Sequence, residues 1–286
     1  MMPLSHQKMI HHPNQRQKPD LSRTMSAPQD NPMTFWDHLE EFRGVLFRIL
    51  GVALAGFILA FSFKEQLFRL ILAPSHPDFI FYRWINALAG IFGIDSGALQ
   101  DFNVELFSTT LTAQFMIHMK MAFYMSLLVI LPYTLYLLFG FVRPALRTGE
   151  RKSTTKVIVW SYVLFMTGVV LDYLIIFPLA FRFLGTYQVS ADIPNVITLE
   201  SYTDMLVTLT LMMGILFELP ILAWFLGKMG IIDADFMKKY RRHAIVVILI
   251  IAAIITPTTD VFTLTIVTLP IYLLYEVSIG IVKQKK

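Results

Sequence analysis

The chain has 286 residues, of which 56% are hydrophobic and only 15% charged, whereas a soluble domain carries about 25% charged residues. A soluble fold of this size could not hide so much apolar surface, so the excess must face lipid. The low charge and 24 phenylalanines exclude a disordered chain, and the absence of cysteine excludes disulfides, thiolate metal sites and cysteine nucleophiles.

Residues 1–33 are rich in Pro, His, Gln and Ser and lack the apolar core of a secretory signal peptide. They read as a flexible polar tail, with a transit peptide as the alternative. His6, His11 and His12 have no scaffold to hold a metal there, and no metal or cofactor is expected. Residues 34–286 form the second domain.

That domain opens with an expected short amphipathic helix over 34–43, in which Phe35, Leu39 and Phe42 share a face. A helix on a lipid surface normally presents Lys and Arg. This one presents Asp37, Glu40 and Glu41, and Glu41 meets only Gly44 and Val45 at its forward helical neighbour positions. Two readings stand: an external cation as the partner of Glu41, or a solvated charged face.

Six apolar spans follow, Val45–Phe63, Phe115–Phe141, Val157–Phe177, Tyr202–Leu226, Ala244–Ile255 and Phe262–Val282. Their length and continuity predict an all-α integral membrane protein with six transmembrane helices. The fifth would be about 18 Å long against a hydrocarbon core of about 30 Å, so local thinning or a water-filled cavity is expected beside it. An even number of spans puts both termini on one side. The face opposite the termini keeps only Lys64, Arg69, Arg83 and Arg182, and Lys120 falls inside a span. The remaining Lys and Arg residues sit with the termini, which makes that face cytoplasmic. With the positive charge arranged this way, the net +4 points to membrane orientation rather than to nucleic acid.

Within the spans, Glu218 has no other charge between Leu206 and Gly227, and a mid-membrane carboxylate is a functional candidate by its cost alone. Pro220 cannot donate to the carbonyl of Leu216, so a kink or polar pocket is expected there. Lys120 and Asp172 could pair across the second and third spans, and Glu276 could meet basic residues or a partner helix. Asp260 is placed to cap the first amides of the last span. Glu150 is the lone acid in a loop with Arg143, Arg147, Arg151, Lys152 and Lys156. Pairing with Arg147 or Arg151 and capture of an external cation are both open. Two carboxylates on one face would suit a guanidinium pair.

His38-Leu-Glu-Glu-Phe-Arg43 resembles the HLEELR element of TatC, the multispanning subunit of the twin-arginine protein translocase. Phe141-Val-Arg-Pro-Ala-Leu-Arg-Thr-Gly-Glu-Arg151 is similar to that family's first cytoplasmic loop, FxxPALxxxER. Phe177-Pro178, Phe217-Glu-Leu-Pro220, Thr256-Pro257 with Asp260, and Tyr275-Glu276 follow in family order, so the resemblance covers residues 34–282. It departs from the family in lacking a basic residue after Arg43, in a turn one residue longer than in many relatives (TPTTD), and in a long first outer loop.

The resemblance implies that Glu41 and Glu150 contact the paired arginines of a signal peptide, in a site shaped by Arg43, Phe141, Pro144, Leu146 and Arg151. It implies that Glu218 lines a concave groove embedded in the membrane, and that Pro74 and Asp260 belong to outer loops. It also implies small single-span partners, TatA and TatB, docking at the fifth and sixth spans, and a homo-oligomer within a receptor complex. The bacterial cytoplasmic membrane is the expected location, with export of folded proteins driven by the proton-motive force. The competing readings are a proton-coupled small-solute transporter, with Glu218 as carrier and Lys120 with Asp172 as relay, and a membrane hydrolase using His118 or His243. No internal repeat favours the transporter.

Overall fold

The structure, a computed structural model, describes residues 35–91, 104–142, 154–190, 192, 195–256 and 260–282. Contacts divide the chain into two units, Met1–Glu40 and Glu41–Lys286. The described part of the first unit is the opening of helix α1. The packing set out below belongs to the second.

The described helices are α1 (Phe35–Ser62), α2 (Lys64–Leu72), α3 (Ile80–Ile91), α4 (Ala113–Val142), α5 (Thr154–Leu171), α6 (Phe177–Thr186), α7 (Leu199–Leu216), α8 (Leu219–Lys228), α9 (Ala234–Lys239), α10 (Arg241–Ile255) and α11 (Val261–Ile281). Two short strands, β1 (Leu106–Phe107) and β2 (Ile197–Thr198), pair in parallel just before α4 and α7. The separate helix expected over 34–43 is instead the start of α1, which continues unbroken through the first apolar span. No proline or turn signal interrupts Gly44 and the apolar run after it, so nothing stops the helix.

Five stretches are long and apolar enough to cross a membrane: Leu39–Ser62, Ala113–Leu138, Lys156–Thr186, Leu199–Lys228 and Val261–Ile281. The third runs through α5 and α6, which are joined by a wide π-type turn at Asp172–Ile176. The fourth runs through α7 and α8. The expected fifth span lies in α10, whose 15 residues give about 22 Å of helix. It completes the six-span all-α architecture and is the short member that the sequence anticipates.

Successive spans run in alternate directions. Phe61 at the end of α1 meets Phe115 at the start of α4, and Phe183 near the end of α6 stacks at 4.4 Å on Phe262 at the start of α11. Helix association in lipid relies on close packing of small residues, because hydrophobic burial drives little there. Gly168 of α5 and Gly214 of α7 supply this. A Cβ at Gly168 would lie 2.7 Å from the Met213 carbonyl oxygen, and one at Gly214 would lie 2.7 Å from the Phe165 ring. The core around this seam holds Met121, Phe177, Leu209, Met213, Val267 and Ile271, all fully buried.

The loops at the end of the bundle beyond Ser62 are tied down by tyrosines. The Tyr82 hydroxyl donates to the carbonyls of Pro178 (3.1 Å) and Pro74 (3.3 Å), and Tyr202 donates to the carbonyl of Ile71 at 2.8 Å. At the opposite end, Ala223, Ala234, Met237, Ile279 and Val282 form a second small core.

Candidate functional site

Phe42 and Phe141 bring the beginning of α1 against the end of α4, with ring centroids 5.4 Å apart. Glu41 and Arg43 flank Phe42 and are both exposed, and the Arg43 guanidinium lies over the Phe47 ring one helical turn on, 5.5 Å from its centroid. Glu41 has a partner in the folded chain. The expectation from helical spacing that it stands without one is therefore corrected: forward spacing counts only the positions three and four residues on. Pro144, Leu146, Glu150 and Arg151 lie outside the described residues. The described part of α4 ends at Val142, one residue after Phe141 and its contact with Phe42.

Glu218 sits where the fourth span breaks. Helix α7 ends at Leu216 and α8 starts at Leu219 with Pro220 in its first turn. Pro220 has no N–H to give Leu216, as the sequence implies, and the chain tightens instead: Glu218 N–H donates to the Ile215 carbonyl at 3.1 Å. The amides of Ile221 and Leu222 then restart the ladder on the Glu218 carbonyl, both at 3.0 Å. The half-buried Glu218 side chain accepts a 2.7 Å hydrogen bond from the hydroxyl of Ser161 on α5. A carboxyl group in the apolar layer is thus paired across helices through a neutral donor.

The pairing expected between Lys120 and Asp172 does not form. Lys120 makes its ion pair with Asp204 on α7. Asp172 is fully buried, and neither of its carboxyl oxygens has a hydrogen-bond partner among the described residues. The two acids lie on neighbouring helices, and only Asp204 reaches the exposed ammonium. Near Asp172 the Tyr124 hydroxyl donates to Thr210 at 2.5 Å. These two residues help line an apolar cavity of about 280 Å³, also bounded by Met125, Tyr162, Val169 and Tyr173. Glu218 is not among the residues lining it.

The remaining candidates occupy structural positions. Asp260 caps α11, accepting from the Thr263 amide at 2.7 Å as anticipated. Pro74 is buried in the turn after α2. Glu276 accepts from Arg241 at 2.6 Å and from the Tyr272 hydroxyl at 3.0 Å, so it does meet a basic residue. His118 is buried and stacks on Phe61 at 4.1 Å, which makes it a packed histidine. Sequence reasoning does not find Ser161 and Asp204 as partners. Ser161 carries a signal, a hydroxyl in an apolar span, whereas choosing Asp204 over Asp172 requires the helix rotations.

The comparisons with known proteins agree with this architecture. A family model described as Sec-independent protein translocase protein (TatC) matches residues 37–270. A Sec-independent protein translocase protein TatC from Blattabacterium sp. subsp. Periplaneta americana is 34% identical, the match covering 90% of this chain and 99% of that one. Its counterpart from Koribacter versatilis is also 34% identical, covering 92% and 90%. A crystal structure of the twin-arginine translocase receptor TatC in DDM superposes with a TM-score of 0.68 at 28% identity, covering 86% of this chain and 99% of that one. With sequence, span order and fold in accord, the chain belongs to the TatC family of Sec-independent protein translocase proteins.

Proposed function

We propose that this chain is the receptor and conduit subunit of a twin-arginine translocase in a bacterial cytoplasmic membrane, with both termini on the cytoplasmic side. The observation that supports the reading is the Phe42–Phe141 contact, which sets the first residue of the segment resembling the family's first cytoplasmic loop beside the helix turn that carries the exposed Glu41. Carboxylates on such a surface suit the planar, bidentate guanidinium groups of two adjacent arginines. Arg43, Phe141, Pro144, Leu146 and Arg151 shape the rest of the site. The partner held by Glu41 in the resting fold would be exchanged for the incoming arginine.

The apolar part of the signal then enters the membrane beside the α7–α8 break, where Glu218 and Ser161 offer polar groups in the apolar layer. The short α10 and the adjoining α11 are the docking region for TatA and TatB type single-span subunits, and copies of this chain associate within the receptor complex. Transport draws on the proton-motive force, in which one charge moved through 100 mV is worth about 2.3 kcal/mol. A small-solute transporter has no support from the relatives, and its Lys120–Asp172 relay is not formed. The test is export of a folded reporter with a twin-arginine signal in cells deleted for this gene. Complementation by this chain is expected, and failure of expressed, inserted protein to restore export would refute the reading.

A further inference from the structure

Helices α2 and α3 follow α1 in the chain, and α2 packs against α4 while α3 packs against the Asp172–Ile176 turn. Their inner faces bury Leu67, Ile71, Phe81 and Tyr82. Between their other faces lies an open pocket of about 790 Å³ whose polar lining is Glu65, Arg69, His76, Asp78 and Arg83, with Phe68 and Ile80 among its apolar walls. Glu65, Phe68, Arg69 and Leu72 share one face of α2 by helical spacing. Among the described residues, none of the side chains of Glu65, Arg69, Asp78 and Arg83 forms an ion pair. The pocket thus presents two guanidinium groups and two carboxylates that do not neutralise one another by direct contact.

Its surroundings are those of a membrane interface. Phe63, Leu70, Ile80 and Trp84 on and beside the two helices are exposed, Trp84 by 57%, although the helices also carry charge. Two short amphipathic helices with an exposed Trp, following one spanning helix and packed against another, belong at the headgroup level. Arginine pairs grip a phosphate by bidentate hydrogen bonds. The two carboxylates disfavour a ligand that is only anionic and call for a cation able to donate hydrogen bonds.

We propose that this pocket binds the headgroup of a phospholipid carrying a primary ammonium, with Arg69 and Arg83 on the phosphate and Glu65 and Asp78 on the ammonium. A trimethylammonium headgroup has the charge but no N–H to donate, so a choline lipid binds less well. A glycerol headgroup has no cation to meet the acids.

The full chain, reconstituted in POPC bilayers doped with POPE or POPG, would be analysed for lipids that stay bound by native mass spectrometry. Retention of POPE about tenfold above POPC is expected, the factor that one charge-assisted hydrogen bond supplies. The double variant Arg69→Gln/Arg83→Gln should lose retention of POPE and POPG alike. Glu65→Gln/Asp78→Asn should keep phosphate-dependent retention and bring POPE within about twofold of POPC. All four side chains are exposed, so these variants keep the fold. Equal retention of POPE and POPC by the native chain would overturn the proposal, as would preference for POPG. Full competition by soluble phosphoethanolamine would overturn the lipid as its ligand. None of these results bears on signal-peptide binding, which lies at the other end of the bundle.

Discussion

Ser161 of α5 donates a 2.7 Å hydrogen bond to the carboxyl group of Glu218 at the break between α7 and α8. The pairing explains how an acid is held in the apolar layer without a cation. Ser161→Ala removes the donor and is expected to destabilise the fold by about 1 to 3 kcal/mol, the cost of a polar group left unsatisfied. Glu218→Gln keeps an acceptor for the same hydroxyl and should stay within about 1 kcal/mol of the parent. Thermal unfolding of the two variants in detergent checks the pair. Equal destabilisation would mean that the hydrogen bond does not support the site.

The α5–α7 seam makes a sharper demand. At Gly168 even a methyl group would meet the Met213 carbonyl oxygen at 2.7 Å and the Phe217 ring at 2.8 Å, and backbone cannot swing away. Gly168→Ala is expected to cost about 1 to 3 kcal/mol by overpacking. Gly51 has nothing within 4 Å of an added Cβ, so Gly51→Ala should be neutral or slightly stabilising through helix propensity. Unfolding temperatures of the two variants should therefore move apart.

Lys120 and Asp204 give a test of which acid the lysine serves. The two side chains form an ion pair, so a double-mutant cycle using Lys120→Met and Asp204→Asn should return a favourable coupling. The same cycle between Lys120 and Asp172 should return no measurable coupling. Coupling to Asp172 in place of Asp204 would contradict the observed helix rotations.

Tyr82, outside the spanning helices, has its hydroxyl held above the ordinary tyrosine range of about 10 by burial, opposed in part by Arg182. Above pH of about 10 the unfolded chain gives up this proton while the folded chain keeps it. The unfolded state then binds fewer protons, and stability falls as pH rises. Below that range the contribution is fully present. Tyr82→Phe should cost about 1 kcal/mol at neutral pH through loss of its bonds to Pro74 and Pro178, and should show a shallower alkaline decline. Unfolding measured at pH of about 8 and about 11 reads both effects.

Much of this architecture is legible in the amino-acid sequence. Apolar run lengths predict the spans, the short fifth one included, because lipid thickness sets a length that composition reports directly. Pro220 announces the break at Glu218, and Asp260 its cap, since both effects act within a few residues. What the sequence does not supply depends on rotation and on distant neighbours. Lys120 chooses Asp204 over Asp172, Glu41 has a partner in the folded chain, and the short helix expected over 34–43 merges into α1. The Phe42–Phe141 contact is likewise invisible to spacing, because its members are almost a hundred residues apart.

Glu41 and Glu150, as the acids that receive paired arginines, carry the central claim. The most direct measurement is site-specific crosslinking of a twin-arginine signal peptide to the membrane-inserted chain carrying Glu41→Ala and Glu150→Ala together. Loss of crosslinking at normal insertion is the predicted result, with Glu41→Asp retaining part of it. Unchanged crosslinking by the double variant would contradict the assignment of both acids.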